Sequence, residues 1–388
     1  MEIQPAPVRF SEDVIREVGE VFGGEAQAIL QSMAEPVHTY YVRCNTLKVV
    51  PDELVSMLTK KGLEITRQIA LPEAVGIEIK GPLKIEPTSS KIVVDKRTAE
   101  SVLQGANVYA PGILNCESMR LGDEVTIVSE IGEIVCVGEA KMNATEVLTF
   151  KKGLAVSVTR RRFQSPQVRE LEEFSKGFLY PQSMAAMVTV RVLDPKPGET
   201  IVDMNCAPGG KLSHMSQLMR NDGRILGYDR NSRKLDQTRE TLTKLGCRNV
   251  VLGVHDSRYL PEDFPDLKPD RVLIDPPCSA LGLRPKVFDY SSRERIDHLK
   301  AYQKQFVKAA SQIVTRGGVV VYSVCTFTRE ECEGVAEFAV EECGLTLVDQ
   351  SPRVGGPGLD CSPMGSLCQR FHPGKHEIGY FIAKFVRD

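Results

Sequence analysis

The chain has 388 residues, 42% of them hydrophobic and 26% charged, with 31 glycines, which is ordinary globular composition and enough length for two or three domains with cores of their own. A net charge of −2 excludes a uniformly basic nucleic-acid binder, so any nucleic-acid surface must be local and balanced by acid elsewhere. The eleven cysteines are odd in number and none shares a C-x-x-C spacing, which disfavours a disulfide framework and a zinc ribbon alike. His372 and His376 are four apart, but Pro373-Gly374 breaks any helix that would align them, so no metal is expected. Residues 1–5 carry no basic-then-apolar signal and no apolar run is long enough to span a bilayer. A soluble, cytoplasmic, monomeric protein is the expectation.

Three blocks follow one another along the chain. In the first, residues 1–88, an amphipathic pattern predicts a helix from Ser11, its N-cap, to Phe22, and a second from 25 to 33. A strand over 39–45 and a helix from Pro51, with Leu54, Met57 and Leu58 on one face and Gly62 closing it, complete a small α+β region. In the second block, 89–166, short strand-like runs at 91–94, 106–109, 124–128, 133–137 and 154–158 are separated by glycine turns, with a single helix at 99–104. Short strands at that density predict a small barrel. In the third block, 167–388, strands at 200–204, 225–229, 250–256, 271–275, 318–325 and 379–385 alternate with helices from Lys211, over 232–245, and near 293–314 and 328–342. That alternation predicts a doubly wound α/β sheet.

The carboxyl ends of such strands are where ligands bind. Between the first strand and its helix lies Asp203-Met204-Asn205-Cys206-Ala207-Pro208-Gly209-Gly210-Lys211, whose glycines and free helix N–H groups let backbone approach a ligand closely. It is neither G-x-G-x-x-G nor a P-loop, so a pyrophosphate is not its ligand. Asp229 ends the next strand, where a carboxylate can take both ribose hydroxyls, and Asp256 ends the third, where it can meet an adenine amino group. An adenosine cofactor without a pyrophosphate fits, and S-adenosylmethionine is the natural candidate.

Two further strand ends carry thiols, Cys278 after Asp275-Pro276-Pro277 and Cys325 after Ser323-Val324. Alone, either is as easily a core residue as a reactive one. Together, beside an acid and a cofactor loop, they suit one reaction. Carbon-5 of cytosine is too electron-poor to accept a methyl group until a thiolate adds at carbon-6, while an acid at N3 offsets the developing charge. The adduct must then be released. One thiolate, one acid and one assisting group are needed, and Cys325, Asp275 and Cys278 supply the set.

Across nearly its whole length the third block resembles the Sun-family (Fmu-like) RNA cytosine-5 methyltransferases. The cofactor loop 203–211, the proline-cysteine motif 275–279, the second cysteine motif 323–326, the segment 178–183 and the terminal Gln369-Arg370-Phe371-His372-Pro373 with 379–384 carry the resemblance. It implies that Cys325 is the nucleophile, that Cys278 assists product release and that Asp275 contacts the cytosine. It implies further that Asn205, Cys206, Ala207, Pro208, Gly209, Gly210 and Lys211, with Asp229, Lys234, Asp256 and Asp275, bind S-adenosylmethionine in a Rossmann-like domain. Val324 stands where the family has Thr, Asn205-Cys206 where it has Cys-Ala, and Leu212 where it has Thr.

The middle block resembles a PUA domain, through 93–96, 105–112, 122–125 and 137–138, and the run 43–48 resembles the Arg-x-Asn-Thr segment of the RNA-recognition-like region preceding Sun-family catalytic domains. The branch with an internal PUA domain methylates the tRNA acceptor stem beside the discriminator base. That implies tRNA as partner, with ribosomal RNA, or a catalytically silent RNA-binding protein, as the other readings. Lys151, Lys152, Arg160, Arg161, Arg162 and Arg169 form a basic stretch with no acid among residues 151–169. Lys96, Tyr109, Lys152, Arg160, Arg161, Arg162, Arg284 and Lys286 are the expected RNA contacts.

Overall fold

The computed structural model describes residues 9–117, 119–359 and 364–388. The reading of residues 1–5 and Cys361 therefore lie outside the described residues. The chain forms two units, one of residues up to Tyr40 with Glu78–Gln167 and Arg284–Tyr290, the other of Tyr41–Ile77, Val168–Leu283 and Ser291–Asp388. The first 88 residues are thus shared between the two, and a short return, 284–290, belongs with the first unit. No helix among the described residues is long and apolar enough to cross a membrane.

In the second unit the eight-stranded sheet has β1 (Thr200–Asp203), β2 (Arg224–Asp229), β3 (Val250–Val254), β4 (Arg271–Ile274), β5 (Val319–Val324), β6 (Leu345–Leu347), β7 (Gln369–Phe371) and β8 (Tyr380–Arg387). The order is β3-β2-β1-β4-β5-β8-β6, with β7 on β8. β1 to β5 are mutually parallel, and β8 lies antiparallel to β5. Runs such as Val319-Val320-Val321 are apolar on both faces because helices cover both sides of a parallel sheet. The helices α1 (Met184–Leu193), α2 (Gly210–Leu218), α3 (Ser232–Leu245), α4 (Arg293–Ile313) and α5 (Glu333–Glu341) supply that cover. Val272, Ile274, Val320, Tyr322 and Val324 from the strands pack with Phe306, Ala310 and Val335 from the helices in one core cluster. Burying each of these side chains fully contributes roughly 1.5–3 kcal/mol before entropy is set against it.

Helix starts follow from capping. Asn231 accepts a hydrogen bond from Lys234 N at 3.1 Å and Ser292 one from Arg295 N at 3.2 Å, where the polar side chain satisfies an otherwise orphaned N–H. One expected helix is shorter than its periodicity suggests: residues 328–332 form a turn, and α5 starts at Glu333. The Thr328 hydroxyl and the Glu331 carboxylate bond each other at 3.0 Å there, an alternative to helical pairing. A second sheet in this unit joins Leu179–Pro181, Thr39–Cys44, Leu71–Glu78 and Ile65–Gln68, of which only the 39–44 strand was foreseen.

The first unit carries a six-stranded sheet, in order Val108–Tyr109, Leu154–Arg161, Ile134–Ala140, Glu124–Ser129, Ser90–Val94 and Ile113–Asn115. Register shifts in four of its five pairings mark the bulges that let a short sheet curl. Ile92, Val94, Val125, Ile127, Val135 and Val156 fill its core. A second helix, Ala144–Phe150, was not expected; its signal is the capping box in which Asn143 and Glu146 bond each other's backbone.

Candidate active site

The strand order reverses between β1 and β4, so the crevice beyond their carboxyl ends is where a ligand sits. Asp203 ends β1, fully buried, and accepts the Asn205 N–H at 3.2 Å. Burial pushes its carboxyl up to about 7, with the Asn205 N–H opposing and the nearby Asp275 charge adding to the rise. The chain then turns into α2 through Gly209, whose φ of +95° and a virtual Cβ 2.9 Å from Thr238 leave room for glycine alone.

A cleft of about 180 Å³ opens over this turn, lined by Tyr180, Gln182, Asp203, Asn205, Cys206, Ala207, Pro208, Gly210, Lys211 and Asp275. Two buried polar atoms of its lining residues, Asn205 Oδ1 and Gln182 Nε2, have no hydrogen-bond partner among the described residues. An amino-acid-like group with both donors and acceptors answers that need, so the lining fits the methionine end of the expected cofactor. Cys206 contributes backbone only: its N–H bonds Tyr228 O at 3.0 Å, and burial pushes its thiol far up. Asp229, Lys234 and Asp256 lie outside the lining of this cleft, at or beyond the ends of β2 and β3. Asp229 accepts the Asn231 N–H at 2.8 Å and is half-exposed, while Lys234 is exposed in the first turn of α3. Both oxygens of Asp256 bond Arg258, at 2.9 and 2.6 Å, which holds this carboxyl below its ordinary range.

Asp275 follows β4 directly. Its Oδ2 pairs with Lys211 Nζ, and its Oδ1 accepts from Ser323 Oγ at 3.2 Å and from the Tyr380 hydroxyl at 3.4 Å. Burial works against the Lys211 charge, but Asp275 and Tyr380 outweigh it and hold the ammonium protonated. The sulfurs of Cys278 and Cys325, 47 residues apart in the chain, stand 3.3 Å from each other. The hydrogen bond with Cys325, burial and the Glu331 charge together keep Cys278 a thiol well above its ordinary range. Cys325 is half-exposed at the mouth of β5. Gly282 completes the loop: its N–H bonds Cys325 O at 3.1 Å, and a Cβ there would lie 1.9 Å from Gly379 O.

Several residues of the site were not named as site residues from the sequence. Arg43, fully buried, donates to Gly210 O and to Ser213 Oγ at 2.7 Å each, pairs with Gln182 Oε1, and lies over the Tyr180 ring at 5.5 Å. It braces the cofactor turn from the 39–44 strand, and desolvation pulls its guanidinium down to about 10. Arg43 opens the Arg-x-Asn-Thr run and Tyr380 lies in the 379–384 segment, so their signal was the resemblance of those segments; Glu331 lay in no motif.

The expected RNA contacts, all in the first unit, divide by exposure. Tyr109 is 55% exposed, and Lys152 and Arg160 are exposed, Arg160 with an ion pair to Glu124 at 2.9 Å. Arg162 is half-exposed over the Phe163 ring. Lys96 pairs with Glu100 and Asp289 at 3.9 and 3.6 Å. Arg161 turns inward, donating to Ala106 O at 3.0 Å and Asn107 Oδ1 at 3.3 Å. Arg284 and Lys286 are corrections, each only 6% exposed. Arg284 donates to Glu35 O and Pro36 O at 3.1 Å, and Lys286 pairs with Asp289 at 2.9 Å. A buried cation must spend its donors inside, so these two hold the 284–290 return in place and present no charge to a nucleic acid.

Comparison with known proteins agrees with this geometry. Residues 190–386 match the 16S rRNA methyltransferase RsmB/F family and residues 90–161 match the PUA domain. A tRNA (cytosine(72)-C(5))-methyltransferase from Pyrococcus horikoshii is 41% identical over 93% of this chain and 92% of its own length. The chain belongs to the RsmB/F family of S-adenosylmethionine-dependent methyltransferases and carries a PUA domain. The mouse tRNA (cytosine(72)-C(5))-methyltransferase NSUN6 is 27% identical over 93% of this chain and 90% of its own. The crystal structure of NSun6 from Pyrococcus horikoshii with SFG, an S-adenosylmethionine analogue, superposes with a TM-score of 0.90 over 98% of each chain at 40% identity.

Proposed function

We propose that this family member methylates carbon-5 of cytosine 72 in tRNA, beside the discriminator base, through a covalent adduct on Cys325. The observation that carries the chemistry is the pair of sulfurs 3.3 Å apart, next to an aspartate already paired with a lysine. The substrate reading is supported by full-length similarity to relatives named for that tRNA position.

The residues divide the work as follows. The Cys325 thiolate adds to carbon-6 of the cytosine. Asp275, fixed by Lys211, Ser323 and Tyr380, meets the N3 edge, with the Lys211 ammonium beside it as the source of a compensating proton. Asn205 to Lys211, with Gln182 on the same cleft, hold S-adenosylmethionine, which when bound supplies an electrophilic methyl group. After methyl transfer the carbon-5 proton leaves to a base such as water, its bonding pair re-forms the carbon-5 to carbon-6 double bond and the Cys325 sulfur is expelled. Cys278, kept protonated by its surroundings, donates toward that sulfur and so stabilises the departing thiolate. A stem base must leave its stack to be attacked, and a terminal pair opens at least cost. Tyr109, Lys152, Arg160 and Arg162 are the side chains we assign to RNA contact, an aromatic face and cations on the same unit. The ten described cysteines are free thiols, which supports a reducing, cytoplasmic compartment.

Transfer of labelled methyl groups to total RNA, with mapping of the product, tests the reading. Methylcytosine at tRNA position 72 is expected; label only in ribosomal RNA would favour the ribosomal alternative, and no label at all the silent one. Cys325→Ala should lower turnover by on the order of 10⁴-fold, whereas Cys278→Ala should accumulate an RNA–protein adduct on denaturing gels. Absence of that adduct would remove Cys278 from the release step.

A further inference from the structure

Glu331 is completely buried on the turn between β5 and α5, in a place no motif marked. Its four hydrogen-bond donors are a backbone amide, a carboxamide and two hydroxyls. Oε1 accepts from Ser279 N at 2.8 Å and from Gln303 Nε2 at 2.9 Å, and Oε2 accepts from the hydroxyls of Thr328 at 3.0 Å and Thr326 at 3.4 Å. Ser279 is the residue after Cys278, and Thr326 is the residue after Cys325. One carboxylate therefore grips the two cysteine loops, one oxygen to each. The grip is reinforced on both sides. Ser279 Oγ and Thr326 Oγ1 share a hydrogen bond of 2.7 Å, and the buried Tyr322 hydroxyl, a single donor, lies 2.7 Å from Glu331 O and 3.0 Å from Gln303 Oε1. Burying a carboxylate is costly, and this one is retained with three of its four donors, Ser279, Thr326 and Thr328, on the loops that leave the two cysteines and the fourth, Gln303, on α4.

We infer that Glu331 is a positioning residue for the methyl transfer, a bracket that fixes the separation of the two cysteine sulfurs. The inference rests on the cysteine roles proposed above. Two strands that merely end side by side do not define a sulfur–sulfur distance; the loops leaving them must be tied. Glu331 ties them without touching substrate or cofactor. A shift of about 1 Å in reacting groups can lower a rate about 100-fold.

Three variants of the full chain, assayed by single-turnover methyl transfer to a tRNA transcript, test this. Glu331→Ala cuts the bracket and should lower the transfer rate about 100-fold with KM for S-adenosylmethionine within about threefold. Glu331→Gln keeps it, because the carboxamide oxygen still accepts from Ser279 N and its nitrogen donates to threonine hydroxyls that can rotate to accept; it should stay within about tenfold of wild type. Thr326→Val, close in volume, removes one arm and should fall between the two, giving a reading even if Glu331→Ala does not fold. A purely structural Glu331 would lower the melting temperature and the active fraction while leaving the rate per cofactor-binding site unchanged, and that result overturns the inference. So would wild-type rates in Thr326→Val. Cys325→Ala runs alongside: if it retains activity, the cysteine assignment has failed, not the bracket alone.

Discussion

At the β4–β5 end of the catalytic crevice the polar side chains bond one another before any ligand arrives, whereas at the β2–β3 end they face outward or onto a local arginine. Asp275 is held by Lys211, Ser323 and Tyr380, and the cysteine loops by Glu331. Asp229 is anchored only to the turn beside it, and Asp256 to Arg258. The difference follows the chemistry. Under the roles proposed above, reacting atoms must be held to within fractions of an ångström, so that end is preorganised. A ribose or adenine needs a few well-placed acceptors and access to solvent for exchange.

The contrast can be broken most severely at the tied end. Lys211→Met leaves Asp275 without its cation, and turnover should fall about 100-fold, the scale of one lost electrostatic donor in a catalytic site. Steady-state kinetics with saturating cofactor checks this; an unchanged kcat would mean the pair only fills space.

The next effect is on stability. The Asp203 carboxyl, raised to about 7, binds its proton in the folded chain over a range where the unfolded chain, near the ordinary aspartate value of about 3.9, has lost it. The native state then carries more protons, so stability contributed by this group falls as pH rises from about 4 to about 7. Asp203→Asn should abolish that fall and gain up to about 4 kcal/mol over wild type at pH 8 relative to pH 4, read from urea midpoints at the two values. The buried His214, pulled down to about 4, has the opposite slope between about 4 and 6.5, and cancels because both chains carry it. Parallel pH curves for the two proteins would show that Asp203 is ionised throughout.

The smallest effect belongs to the open end. Asp229→Asn should raise KM for S-adenosylmethionine about tenfold, the scale of weakened charged hydrogen bonds, and leave kcat unchanged. A fall in kcat instead would mean that the two ends of the crevice are coupled.

The parallel sheet, its order of elements and the cofactor turn were legible because β-branched runs, capping residues and glycines act over a few neighbours. α3 has the limits its N-cap and closing glycine announce, Ser232–Leu245. The 328–332 turn was read as helix because its residues suit one; the competing Thr328–Glu331 bond is local, but the Ser279 and Gln303 donors that hold Glu331 there come from elsewhere in the chain. Arg284 and Lys286 looked like cations available to a phosphate, and only the position of the 284–290 return shows them spent on Glu35, Pro36 and Asp289.

Sequence alone determined that Cys278 and Cys325 end neighbouring strands, since strand pattern and chain order suffice for that. It placed Asp275 and the 203–211 turn at strand ends of the same sheet on the same grounds. The tertiary structure decided that the two sulfurs stand 3.3 Å apart, that Cys278 is held as a thiol, that Glu331 ties the loops around the sulfurs and that Arg43 braces the turn at Gly210. Those are facts about distance and burial between segments up to about 170 residues apart, and no local pattern encodes them.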